Sequence, residues 1–306
     1  MEDADYPALA RFSSTDVKPD ELARRDARAL AADPTFRRAI AEAAGEVIGT
    51  GMLFANWSGV VQAGRYWFTS GVAAGHPGVG SRLLGVLTQD LEKTAEIGVC
   101  LREDTLPQHG YLAEWGFEER FRSWGAHLDL EKFEPRRFDG LIATLESAGV
   151  SLVPYPELPH VDKEERLSEL KREIDKDTVS FEPIVPSDSE GILGDNYLRD
   201  GLIVAVDTSG NFLGLASLRR ESDGEIGIGL TGVRREQRGR GIATALKVKS
   251  LQVARELGAS SVGTGGAAGN PAIKHINQKL GFEVGPEWVT LIARRQREPA
   301  SVVIHV

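Results

Sequence analysis

Cysteine occurs once in the 306 residues, at Cys100. A single thiol makes neither an internal disulfide nor the usual structural zinc site, so a reducing compartment is the simplest fit. No stretch approaches the ~20 apolar residues of a membrane-spanning helix. The opening MEDADYPALA is acidic and lacks the apolar core of a secretory signal. These absences lead us to expect a soluble, cytoplasmic protein with no membrane partner. A basic excess is missing too: 36 Lys+Arg against 45 Asp+Glu gives a net charge of −9. Such a chain has little basic surface with which to release phosphate counterions, which argues against a nucleic-acid partner. The sequence contains no Gly-x4-Gly-Lys-Ser/Thr nucleotide loop and no Gly-x-Ser-x-Gly hydrolase elbow. Its six histidines show no metal-ligand spacing, so no metal is expected.

The remaining composition is that of a globular protein, 41% hydrophobic and 26% charged, and the length suggests about two domains. The chain also echoes itself. GVAAGHPGVGSRLLGVL begins at Gly71 and GVRREQRGRGIATALKV at Gly232. Each is a Gly-Val followed by Gly-x-Gly and then an amphipathic run. Trp115-Gly116-Phe117 and Leu280-Gly281-Phe282 repeat downstream in the same order. We read a duplication, with domains at 1–133 and 134–306 and a packed connector over 134–160.

Periodicity gives both halves one series of elements. The second half has a hairpin of 202–206 and 212–218 around the turn Asp207–Asn211, a strand over 225–233 and a helix from Gly241 to about 257. A strand from Ser261, a helix opened by Asn270-Pro271 and a strand over 288–293 follow. The first half has strands near 37–43, 46–55, 65–72, 97–101 and 124–130, with helices over 79–94 and 108–115. Residues 163–176 read as a charged helix with a Leu167/Leu170/Ile174 stripe, taken as a solvated face. Cys100 reads as a buried structural thiol. Trp57, Trp67, Trp115, Trp124 and Trp288 read as core or domain-interface residues.

The chemistry gathers in Arg238-Gly239-Arg240-Gly241-Ile242-Ala243, between a strand and a helix. Glycine lets the backbone turn tightly and approach a ligand closely. The first-turn amides lack intrahelical acceptors and sit at the positive end of the helix dipole, which suits a pyrophosphate. A literal dinucleotide fingerprint, Gly227-Ile-Gly229-Leu-Thr-Gly232, lies within a strand and opens no helix, so it lacks the context that gives it meaning.

Val233-x4-Arg238-Gly-x-Gly241-Ile-Ala243 resembles the acetyl-CoA pyrophosphate loop of the GNAT acetyltransferases. Asn270-Pro-Ala-Ile-Lys-His-Ile-Asn277-Gln-Lys-Leu-Gly-Phe282 is similar to the helix and turn that follow it there. The resemblance covers about 150–306 well and 1–133 as a weaker copy. It implies an α+β (mixed α/β) fold of two tandem acyl-CoA N-acyltransferase domains, each a mostly antiparallel, V-splayed sheet flanked by helices. It further implies an acetyl-CoA-dependent N-acetyltransferase that transfers acetyl directly to a primary amine of a small molecule or peptide, with the second domain active. Thr231, Gly232 and Val233 would pair with the pantetheine arm, and the amides of Arg238, Gly239, Arg240, Gly241, Ile242 and Ala243 would hold the pyrophosphate. Asn270 would contact the cofactor or serve as a helix cap, or both. Oxyanion stabilisation would come from backbone amides at the end of the 225–233 strand.

Glu225 stands where a branch of the family has its general base. Asn277 occupies the place of the tyrosine that commonly protonates the departing thiolate; Asn is no acid, and neighbouring His275 is the substitute candidate. In the first copy Pro77 replaces Arg238, Arg82 replaces Ala243 and Leu112 replaces Asn277, so that domain reads as structural. A monomer or homodimer is expected. Two other readings stand beside the enzyme: a non-catalytic acyl-CoA sensor or interaction protein on this fold, and a nucleic-acid module using Arg234, Arg235, Arg238 and Arg240.

Overall fold

The computed structural model describes residues 5–12, 17–57, 60–181, 190–221 and 225–294. The turn at 222–224 and the side chain of Trp57 lie outside the described residues. The chain forms two compact units, Met1–Phe121 with Trp288–Val306, and Arg122–Glu287.

The first unit contains α1 (Tyr6–Leu9), α2 (Pro19–Ala32), β1 (Arg37–Ala43), β2 (Glu46–Phe54) and the short β3 (Asn56–Trp57) and β4 (Val60–Val61). β5 (Arg65–Val72), α3 (Val79–Thr88), β6 (Glu96–Arg102) and α4 (Tyr111–Glu114) follow. β1, β2 and β5 are antiparallel neighbours, and β5 pairs in parallel with β6 only over Arg65–Trp67 and Glu96–Gly98. Residues 288–294 close the sheet as an antiparallel partner of β6. Leu53, Phe68, Leu84 and Ile97 are at the centre of its core.

The second unit takes most of β7 (Glu118–Asp129), then α5 (Asp139–Ser147), β8 (Ser151–Pro154), α6 (Lys163–Lys176) and α7 (Glu190–Leu193). β9 (Tyr197–Val206), β10 (Phe212–Arg220), β11 (Ile226–Val233), α8 (Ile242–Glu256), β12 (Ser261–Ala267), α9 (Pro271–Leu280) and the first residues of β13 (Glu283–Arg294), up to Glu287, complete it. Its strand order is β7-β12-β11-β10-β9-β8, antiparallel except for β11 with β12. One face packs against α8 through Ile228, Val233, Ala245, Leu246 and Leu251; the other packs against α6 through Leu167, Leu170 and Ile174.

These units differ from the division at 133/134. Residues Ser123–Asp129, which follow the first Gly-Phe turn, pair with β12 of the second unit. Residues Trp288–Arg294, which follow the second, pair with β6 of the first. Each copy's final strand thus completes the other copy's sheet. The 134–160 connector includes a strand, β8, paired with β9.

Local chemistry explains the element ends. In the β9–β10 hairpin the Asp207 carboxylate accepts the Ser209 and Asn211 amides at 2.9 Å and the Asn211 side chain at 2.9 Å, while Gly210 takes φ 80°. Those hydrogen bonds hold the Asp207 carboxyl below its usual range. α9 starts on an Asn270 cap with Pro271 in its first turn, and Gly281 ends it at φ 96°. The helix expected over 79–94 stops at Thr88, and the 108–115 helix shrinks to α4 after a 3-10 turn over Glu103–His109. α6 matches its expected range, but it is not merely a solvated face: Leu167, Leu170 and Ile174 are buried, together with a Lys171–Asp175 ion pair at 2.7 Å. Trp67, Trp115 and Trp124 are buried, whereas Trp288 is exposed. Cys100 is half-buried, with Thr290 Oγ1 at 3.9 Å from its sulfur, and burial raises the pKa of its thiol. Among the described residues no helix is long and apolar enough to cross a membrane.

Candidate active site

β11 and β12 pair only at Ile226–Gly227 with Val262–Gly263 and then separate, which opens a cleft in the second unit's sheet. A bulge sits on the cleft strand. Ala216 opposes Thr231 and Leu218 opposes Ile228, so Gly229 and Leu230 together face the single residue Ser217. The buried Ser217 hydroxyl fills the gap, accepting the Leu230 amide at 3.0 Å and lying 3.3 Å from the Leu230 carbonyl. The extra residue inverts the alternation of the strand. Ile226 and Ile228 pack with α8 before it; Leu230 turns to the α6 side after it, and Val233 packs with α8. Thr231, two residues before Val233, shares the α8 side. Gly232 faces α6 so closely that a Cβ there would lie 2.4 Å from Ile174 Cγ2.

Beyond Val233 the chain makes a 3-10 turn (Arg235–Gln237) and reaches Gly239 and Gly241 at φ 79° and 85°. Left-handed backbone at both positions strongly favours glycine. A Cβ on Gly239 would meet nothing within 4 Å, whereas one on Gly241 would lie 2.6 Å from Leu141 Cδ1. The first helical bond of α8 runs from the Ala245 amide to the Gly241 carbonyl, which leaves the amides of Ile242, Ala243 and Thr244 without intrahelical acceptors. The loop therefore presents open backbone donors at a helix N-terminus, with no side chain over Gly239.

The arginines of this loop are already engaged. Arg238 donates to Asp177 at 2.7 Å and to the Val233 carbonyl at 3.1 Å, and Arg235 pairs with the same carboxylate. Arg235 and Arg238 together hold the Asp177 carboxyl below its usual range. Arg234 donates to Glu173 and to the Phe212 carbonyl, and Arg240 donates to Gln237. The backbone of the loop, rather than its guanidinium groups, is what stands free.

α9 supplies the facing wall. Asn270 Oδ1 accepts the Ile273 amide at 3.4 Å, so its capping role is present. Asn277 is fully buried, and neither atom of its amide has a partner among the described residues; the same holds for the buried Thr231 Oγ1. His275, two positions from Asn277, is exposed on another face of the helix. The geometry does not bring His275 to Asn277. Glu225 is exposed immediately before β11, at the opposite end of the strand from the loop.

Sequence reasoning missed two residues here. Asp177 follows a helix whose register was legible, but its pairing with the loop depends on how α6 lies on the sheet. Lys247 of α8 is only 1% exposed, its Nζ lies 5.8 Å from the centre of the Phe282 ring, and it has no hydrogen-bond or ion-pair partner among the described residues. Burial lowers its pKa to about 7. Lys247 follows Leu246 by one position, about 100° around the helix from the Ile242/Leu246/Val253 stripe, so periodicity carried no signal for its burial.

The first unit's copy of the loop is built differently. α3 begins at Val79, so Gly80, the counterpart of Gly241, is already inside the helix. A Cβ on Gly80 would lie 2.7 Å from the ring of Tyr111, whose hydroxyl is 3.3 Å from Ser70 Oγ. Burial raises the pKa of the Tyr111 phenol. Pro77 brings no amide to this turn.

The chain's similarities agree with this geometry. Residues 167–282 match the model of the acetyltransferase (GNAT) family. No curated protein matches the chain. Among solved structures, a GCN5-related N-acetyltransferase from Sphaerobacter thermophilus is similar at TM-score 0.66 and 19% identity, over 97% of this chain and 94% of that one. The GCN5-related glucosamine N-acetyltransferase region of a fungal multi-domain GH3 β-N-acetylglucosaminidase gives 0.65 at 14% identity, over 95% of this chain and 37% of that one. A tandem GNAT protein from the clavulanic acid biosynthesis pathway gives 0.51 at 20% identity, over 86% and 85%. Residues 167–282 thus match the acetyltransferase (GNAT) family, and the fold of the chain is that of the GNAT proteins.

Proposed function

We propose that this protein is an acetyl-CoA-dependent N-acetyltransferase whose second unit carries the activity, passing acetyl directly to a primary amine of a small molecule or peptide. The observation that carries the reading is the β11–loop–α8 cradle: a splayed strand edge leading into free helix-N-terminal amides, with unpartnered polar atoms at Thr231 and Asn277. That donor set fits an acyl-CoA. The backbone of Thr231–Val233 would hold the pantetheine arm and the amides of Arg238–Ala243 the pyrophosphate. The bound thioester supplies an activated acyl group; the protein contributes orientation, a water-poor cleft and proton management. Leu230's amide is already given to Ser217, so oxyanion stabilisation falls to other amides of β11. Glu225, directly or through water, would take the proton of the attacking amine. The first unit, with its loop drawn into α3 and Tyr111 against Gly80, is assigned a structural role. A cytoplasmic setting fits the single half-buried thiol.

The test is thiol release from acetyl-CoA across a panel of primary amines. We expect amine-dependent turnover that Glu225→Gln lowers by ~10²–10⁴-fold, with acetyl-CoA affinity unchanged. Absence of turnover with every amine, alongside intact acetyl-CoA binding, would favour the second reading, a non-catalytic acyl-CoA sensor. The exposed, divergent placement of His275 is the observation on that side. A nucleic-acid role loses support because Arg234, Arg235 and Arg238 are paired with carboxylates.

Asp177 competes with the anionic ligand for Arg235 and Arg238. Asp177→Asn is expected to tighten acetyl-CoA binding roughly two- to fivefold at low salt, and less at high salt, as an exposed ion pair dictates. Calorimetric titration at two ionic strengths measures this.

A further inference from the structure

Four buried polar side chains of the second unit border β11, α8 and α9 without the partners that buried polar atoms ordinarily have. Among the described residues Thr231 Oγ1, Ser250 Oγ and both amide atoms of Asn277 are unpartnered, and Lys247 is buried with the Phe282 ring near its Nζ. Lys247 and Ser250 are three residues apart and so share one face of α8. The Phe282 amide donates to the Asn277 carbonyl at 3.0 Å, which ties the ring beside Lys247 to the end of α9 that carries Asn277. Lys247 stands five residues along α8 from Ile242, about 7.5 Å from the amides at the helix start.

Among the described residues, no carboxylate reaches Lys247 from the elements packed around α8. On α9, Lys274 pairs with Glu287, and His275 and Lys279 are exposed. On α5, Asp139 and Glu146 are exposed, as are Arg136 and Arg137 in the turn before it. The charged residues of β9 and β10, Arg199, Asp200, Arg219 and Arg220, are exposed as well. β8 and β11 carry no charged residue. Of the four unpartnered groups, only Lys247 can exchange a proton near neutral pH.

Resting on the N-acetyltransferase reading, we propose that Lys247 is the proton donor to the sulfur that departs from the acyl group, with Asn277 positioning that sulfur beside it. As the C–N bond forms and the C–S bond breaks, the sulfur leaves as a thiolate and takes a proton from Lys247 Nζ. The proton lost by the attacking amine goes to Glu225 or water. The neutral Lys247 amine then recovers a proton from solvent, and the apolar pocket makes the loss of that proton easy.

The experiment needs no acceptor amine. Free coenzyme A is bound to the full chain, and ionisation of its thiol is followed by thiolate absorbance against pH, in wild type, Lys247→Met and Lys247→Gln. In wild type the bound thiol should ionise about one pH unit or more below its free value, because thiol and lysine titrate as a coupled pair in which the thiolate holds the proton on Lys247. In both variants it should ionise at or above the free value. Acetyl-CoA affinity should stay within about twofold in all three, since Lys247 binds no phosphate. Equal thiol ionisation in wild type and both variants overturns the proposal while leaving the acetyltransferase reading intact. Failure of wild type to bind any coenzyme A overturns both.

Discussion

Lys247→Met should stabilise the protein by about 4 kcal/mol at pH 7, by about 2 kcal/mol at pH 9 and by almost nothing near pH 10.5. The sign follows from proton binding. Lys247 is almost wholly buried, without a counter-charge among the described residues, and its pKa falls from 10.5 in the unfolded chain to about 7 in the folded protein. Between those values the unfolded chain binds the extra proton, so stability rises with pH. Below pH 7 the folded state bears the full cost of the buried ammonium; above 10.5 both states are neutral and the cost is gone. Methionine fills similar space without that charge. Denaturant melts at pH 7, 9 and 10.5 check the sequence of gains. A gain independent of pH would mean that packing, not charge, limits this site. Retention of so costly a residue fits the catalytic role assigned to it.

Gly239→Val should weaken acetyl-CoA binding at least about 100-fold while leaving the fold standing. Two effects combine. At φ 79° a β-branched residue strains the backbone by about 1–2 kcal/mol, which pulls the loop from the conformation that points its amides outward. The added side chain would project into the open space above the loop, where nothing in the protein lies within 4 Å. Gly258 separates these effects: it has φ 85° and open space around its Cβ position, but it sits at the far end of α8. Gly258→Val should carry similar backbone strain and leave binding unchanged. Equal losses in the two variants would show that helix destabilisation, not the loop, governs affinity. Gly241 is a poorer probe, because Leu141 occupies the space its side chain would need.

What the sequence made legible was local. Gly-x-Gly before an amphipathic run, Asn270-Pro271 before another and the Asp207–Asn211 turn each specify their conformation with their own side chains, and each stands where expected. The limits of α6 were legible because its caps and charges are contiguous, but its buried stripe required knowing which sheet face it meets. The exchange of final strands was not legible. β7 and β13 follow the same kind of Gly-Phe turn, and alternation specifies a strand without naming its neighbour. The β11 bulge is equally silent, since it shows only when Ser217 is found opposite two residues. At the site, the glycine loop followed from conformation. The engagement of Arg238 by Asp177 and the isolation of Lys247 arise from packing between distant segments. His275 neighbours Asn277 in sequence, but two residues along a helix is the wrong spacing to share a face.

The central claim is that one acyl-CoA binds, on the β11–loop–α8 cradle of the second unit. Its most direct test is the stoichiometry of acetyl-CoA binding to the full chain by calorimetry, repeated with Gly239→Val and with Gly78→Val at the matching position of the first unit. The account predicts one site, lost in Gly239→Val and kept in Gly78→Val. Two sites, or a single site that survives Gly239→Val and disappears in Gly78→Val, would contradict it.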